Sequence, residues 1–228
     1  MQKLYIGNKN YSSWSMRPWV LMKNAGIPFE EVLLRFDSMD RGSDFKNAIC
    51  KISPVGKVPV LIDDDLTVWD TLAIAEYLAE KYPEKHLWPT DVKARARARS
   101  VCAEMHSGFT SLRNACMMNI EASLLDVGTL ILRDNAGVRV DVARIETLWA
   151  ELLREHTGPY LFGKHFTIAD AYYAPVCMRF KTYGLSKHTE VNAYIEAIRS
   201  APGVANWIAD ALVENDFRDF EEPYRLKR

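Results

Sequence analysis

Three short stretches of the chain bring together residue types that can hold a negative charge, an extended peptide or an amino-acid head group. The first is Tyr11-Ser12-Ser13-Trp14-Ser15-Met16-Arg17-Pro18, at the expected mouth of a helix. Serines at such a place cap the helix, because their oxygens accept bonds from first-turn N–H groups that have no helical partner. The same place suits an anion, since a helix N-terminus is partly positive. A hydroxyl there can donate a hydrogen bond to a thiolate. A free thiol titrates near pH 8.5, and lowering it by about two units takes roughly 2.7 kcal/mol of preference for the anion. One hydrogen bond to a charged group supplies about 1.5–3 kcal/mol. A hydroxyl plus the helix end is therefore of the right size, and cap and thiolate site both stand on the residues alone.

The second stretch is Ser53-Pro54-Val55-Gly56-Lys57-Val58-Pro59-Val60-Leu61. A proline opening a strand cannot donate to a ladder, so Pro59 belongs at a bend or an edge. A cis Val58–Pro59 bond would turn the Val58 N–H and C=O outward, where an extended peptide pairs as an added strand does. An edge proline without a ligand is the alternative. The third stretch, Trp69-Asp70-Thr71-Leu72-Ala73-Ile74, opens another helix. Asp70 and Thr71 are good caps. They also suit an amino-acid head group, with Asp70 on the ammonium and the Thr71 hydroxyl and nearby amides on the carboxylate. Capping and binding are compatible here.

The elements that must position these groups follow from the pattern of the first 80 residues. Leu4–Ile6 reads as a short strand and Ser15–Ala25 as a helix, with Pro18 in its first turn and Gly26 just past its end. Phe29–Phe36 reads as a strand. Val58–Ile62 and Leu66–Trp69 are two more, joined by Asp63-Asp64-Asp65 as a hairpin. Thr71–Tyr82 is helical. The order is β-α-β, an irregular segment, then β-β-α. Two prolines mark Pro83–Pro89 as a linker. Beyond it only helix signals appear. Ala94, Ala98, Val101, Cys102, Met105, Phe109 and Leu112 recur at steps of three and four and predict one long helix from about Thr90. Val142 to Leu153, Thr167–Lys181, Glu190–Ser200 and Val204–Val213 complete an all-helical second half. The tail from Glu214 stays unassigned.

Bulk properties exclude several classes. A net charge of −1 gives no field toward nucleic acid or an anionic membrane. The start is too polar for a signal peptide, and no apolar run nears the roughly 18 residues of a membrane helix. A cytoplasmic protein is expected. Cys50, Cys102, Cys116 and Cys177 form no C-x-x-C pair and read as small buried residues; the five histidines are isolated, so no metal is expected.

Together these features resemble the glutathione transferase family, nearest to bacterial serine-type and zeta-like members. The residues that carry the resemblance are Ser12 and Arg17 five apart, the Val58-Pro59 strand, and the Asp70-Thr71 helix start. Leu161 to Asp170 is similar to the family's buried capping motif, with Thr167 and Asp170 closing a structural box. The resemblance covers nearly the whole chain. It implies a thioredoxin-like α/β domain at 1–82, a linker at 83–90 and an all-helical domain at 91–228. It implies glutathione as co-substrate, a small electrophile as second substrate, a homodimer and a detoxifying transferase activity. Ser12 is then the first candidate to hold the thiolate, with Ser13 and Ser15 behind it. Val58 and Pro59 would carry the peptide, Asp70 and Thr71 the γ-glutamyl head and Lys57 the glycyl carboxylate. Met105 and Phe109, one turn apart, would line the electrophile pocket, while His106 beside them would point away and be structural.

Two alternatives remain. One is glutathione-dependent cis–trans isomerisation of a maleylacetoacetate-type diacid, which would need cations such as Arg17 and Arg113. Trp14 stands where the zeta pattern has a cysteine, against that activity. The other is a non-catalytic glutathione-binding interaction module.

Overall fold

The computed structural model of the chain describes residues 1–227. The first part is a four-stranded sheet with three helices: β1 (Lys3–Ile6), α1 (Ser13–Asn24), β2 (Glu30–Leu33), α2 (Asp44–Ile49), β3 (Val60–Asp63), β4 (Leu66–Trp69) and α3 (Thr71–Lys81). The strands lie in the order β2-β1-β3-β4. β1 runs parallel to β2 and antiparallel to β3, and β3 and β4 form the expected hairpin, with Val60 opposite Trp69. Asp64, in the two-residue turn, has φ +53°, a conformation Asp tolerates better than most residues.

The rest is helical: α4 (Val92–Ser107), α5 (Thr110–Ala115), α6 (Leu125–Asp134), α7 (Ala136–His156), α8 (Ile168–Tyr183), α9 (Thr189–Ser200) and α10 (Pro202–Glu214). No helix among the described residues is long and apolar enough to cross a membrane. One continuous core joins sheet and helices. Leu4, Ile6 and Leu61 come from the sheet, Trp19 from α1, Trp149 from α7, Tyr172 and Tyr173 from α8 and Trp207 from α10. α1 is the hub: every residue from Ser15 to Met22 is buried, against α3 on one side and α8 and α10 on the other. Burying that whole surface fixes where α1 begins, and so where the serines stand.

Three expectations need correction. α1 starts at Ser13, two residues early, which places Pro18 inside the helix rather than in its first turn and leaves the Trp14 carbonyl without its helical donor. The predicted long helix breaks at Gly108. Phe109 takes φ +54° and starts α5 instead of continuing α4. Cys50 is exposed, whereas the other three cysteines are buried. The unassigned tail contributes a short 3-10 turn at Asp219–Glu221.

Candidate active site

A cleft of about 690 Å3 lies between the sheet end of the molecule and the helices. The starts of α1 and α3 form one wall. His106 of α4, Arg113 of α5, Met117, Met118, Arg179 of α8 and Glu221 of the tail form the other.

Ser12 is the N-cap residue of α1, yet among the described residues its side chain caps no N–H group. Its hydroxyl donates instead to Ser15 Oγ at 2.7 Å. Ser15 Oγ also accepts the Gly7 N–H at 3.1 Å. Ser15 is fully buried and does not reach the cleft; Ser12 and Ser13 do. Ser13 Oγ accepts a bond from Arg179 Nη2 at 3.2 Å. The first turn, Ser13-Trp14-Ser15-Met16, carries no acidic side chain. The positive end of α1 thus opens on the cleft with two hydroxyls beside it.

At α3, Asp70 caps the helix by accepting the Leu72 N–H at 2.8 Å. Its other oxygen lies 3.2 Å from His106 Nε2. Thr71 is buried, with its hydroxyl 2.9 Å from Tyr172 Oη. The Val58–Pro59 bond is cis. Val58 lines the cleft, and among the described residues its N–H and C=O take no partner. Lys57 and Pro59 line it as well, Lys57 at the exposed rim. The three stretches singled out in the sequence therefore meet on one wall, except that Ser15 supports Ser12 from behind.

The opposite wall differs from expectation. Met105 and Phe109 are buried in the core and do not line the cleft. The break at Gly108 removes the single helix face that would have carried both. His106, read as pointing away, lines the cleft and packs edge-on against Trp14, ring centroids 5.1 Å apart. Met117 and Met118 supply the flexible apolar lining instead. Arg17 is not a cleft cation. It is buried between the rings of Trp14 and Tyr172, at 4.3 and 4.5 Å, and burial lowers it to about pH 10. Arg179 takes the place given to Arg17. Its guanidinium donates to the Cys116 carbonyl and to Ser13, and burial lowers it to about 10.

The tail closes over this wall. Asn8 Nδ2 donates to Asp216 Oδ2 at 2.8 Å and Tyr11 Oη to Glu222 Oε1 at 2.8 Å. Tyr224 Oη donates to the Ala115 carbonyl at 2.8 Å. A cation in the otherwise uncharged run from Ala171 to Phe180 was the one sequence signal for Arg179. Glu221 had none.

Known proteins share this architecture. Residues 11–81 match the glutathione S-transferase N-terminal domain and residues 120–210 its C-terminal domain. A probable maleylacetoacetate isomerase of Caenorhabditis elegans is 30% identical over 206 residues, covering 87% of this chain and 89% of that protein. Glutathione S-transferase Z1 of Arabidopsis thaliana is 31% identical over 177 residues, 76% of each. Among solved structures, a Burkholderia glutathione transferase homolog with bound glutathione superposes with a TM-score of 0.68 at 25% identity, covering 93% of this chain and 98% of that one. A glutathione S-transferase of the Antarctic clam Laternula elliptica gives 0.71 at 22% identity, covering 94% and 95%. The chain belongs to the glutathione S-transferase family.

Proposed function

We propose that the protein joins the sulfur of glutathione to a small electrophile. The observation that carries this is the uncapped start of α1 with Ser12 and Ser13 on the cleft. In this reading the tripeptide lies along Val58 with its γ-glutamyl head at Asp70 and Thr71 and its glycyl carboxylate toward Lys57. Its thiol meets the mouth of α1, and Ser12 donates to the thiolate, with Ser13 next in line. Turning the Ser12 hydroxyl from Ser15 toward sulfur exchanges a neutral bond for a charge-assisted one, which is about twice as strong. Ser15 then keeps the Gly7 N–H and holds the loop in place. The electrophile sits against Met117 and Met118. Proximity and thiol ionisation do the work, without a covalent enzyme intermediate.

Isomerisation of a maleyl-type diacid is a second reading, favoured by Arg113 and Arg179 on the cleft and by the similarity to the probable maleylacetoacetate isomerase of Caenorhabditis elegans. A homodimer, a cytoplasmic setting and a detoxifying role extend the first reading and follow from the family resemblance. Parallel assays of glutathione with a chlorinated aromatic and with a maleyl-type diacid separate the two. Turnover of the aromatic substrate is expected; turnover of the diacid alone replaces the first reading with the second.

A further inference from the structure

The tail brings a carboxylate into the cleft that the reading above does not use. Asp70 is engaged by Leu72 and His106. Glu222 is tied to Tyr11 and Arg225. Glu221 lines the same cleft, and among the described residues its side chain takes no hydrogen-bond partner. It is not there by looseness of the tail, because anchors lie on both sides of it. Arg218 N–H donates to Tyr11 Oη at 3.2 Å, and beyond Glu221 stand the Glu222–Tyr11 and Tyr224–Ala115 bonds. One cation links Glu221 to the sulfur end. Arg179 is the charge that Glu221 feels most, and the same guanidinium donates to Ser13.

We propose that Glu221 is a catalytic acid: it delivers a proton to carbon when the glutathione thiolate adds to an activated double bond. The inference rests on the transferase reading and narrows its electrophile to acceptors of addition, such as α,β-unsaturated carbonyl compounds. The step balances. A sulfur lone pair forms the S–C bond at the β-carbon. The π pair of the alkene moves toward the carbonyl and then takes the Glu221 proton at the α-carbon. The carboxylate left behind is reprotonated from solvent, which gained one proton when the bound thiol ionised. No oxidant or other reactant is needed. An acid serves best when it titrates near the working pH, and burial raises Glu221 to about 7. Arg179 from α8 opposes that rise and Glu222 on its own tail adds to it. Tyr11, Lys46, Lys57, Asp70, His106 and Arg113 are the other charged or titratable groups on the lining.

The test compares two probes on the full chain at saturating glutathione. Benzylideneacetone needs a proton at carbon after addition, whereas chlorodinitrobenzene loses chloride and needs none. Glu221→Gln should lower the ratio of addition to substitution rate at least about tenfold, within the usual range for a removed acid. It should also abolish a fall in the addition rate as pH rises above about 7. Glutathione affinity within about twofold of wild type shows that the cleft is intact, and Glu221→Asp should recover part of the ratio. An unchanged ratio in Glu221→Gln overturns the proposal and leaves the transferase reading standing. So does a wild type that conjugates chlorodinitrobenzene but no enone. A wild type that binds no glutathione overturns both.

Discussion

Two helix starts in this molecule use the same kind of residue for opposite ends. At α8, the hydroxyl and N–H of Thr167 both donate to Asp170 Oδ2, at 2.9 and 2.8 Å. Asp170 Oδ1 takes the Leu161 N–H and the Tyr194 hydroxyl. That start is buried and its carboxylate is fully engaged. At α1, three residues after the N-cap stands Ser15 instead of an acid, and it takes the Ser12 hydroxyl and the Gly7 N–H. The dipole end of α8 is thus neutralised from within, and that of α1 is left for an anion from outside. In the proposed reading, what separates a structural from a binding helix start is the third residue, more than the cap itself.

Breaking the α8 side should have the largest effect. Asp170→Ala strands four buried donors, and with about 1–3 kcal/mol for each unmet group it should cost more than about 3 kcal/mol in urea unfolding. Ser12→Ala, with no cap bond to lose, should cost less than about 1 kcal/mol. Equal costs would erase the contrast. Asp170 also sets a pH dependence. Burial is the larger influence and raises it from 3.8 to about 6, against the bonds from Leu161 and Thr167. Its folded form prefers the proton, so its contribution is complete below about pH 4 and is lost as pH rises through about 6. Wild type should lose on the order of 2 kcal/mol over that interval relative to Asp170→Asn, read from unfolding at several pH values. Ser15→Asp sharpens the comparison from the other side by giving α1 the acid that α8 has. A carboxylate at the positive end should compete with the thiolate and weaken glutathione binding by about tenfold or more in calorimetry. Unchanged binding would show that the open end of α1 is not where the sulfur goes.

Much of this was legible in the sequence because it is local. The β3–β4 hairpin, the α3 start and the Thr167–Asp170 box each lie within a dozen residues, where turn chemistry and capping act. α2 and α6 were not legible. α2 has six residues and depends on Asp37, which accepts the N–H groups of Asp44 and Phe45. α6 carries Gly128, which looks like a breaker. The glycine is there because α6 lies on the end of α8, where a Cβ would come within 1.7 Å of the Tyr183 carbonyl oxygen. The Gly108 break hid inside an apolar rhythm that continues across it, since Met105, Phe109 and Leu112 are all buried whichever helix they belong to. The wall formed by the starts of α1 and α3 was readable for the same reason of locality. The facing wall was not: Arg179 meets Ser13 across 166 residues, and no spacing rule reaches that far.

The proposed chemistry depends on the mouth of α1 holding a thiolate. Thiolate absorbance of bound glutathione, titrated against pH in wild type and Ser12→Ala, tests it directly. In wild type the thiol should titrate about two units below its free value of about 8.5, and loss of the hydroxyl should raise it by at least about one unit. A wild-type thiol that titrates where the free one does would contradict it.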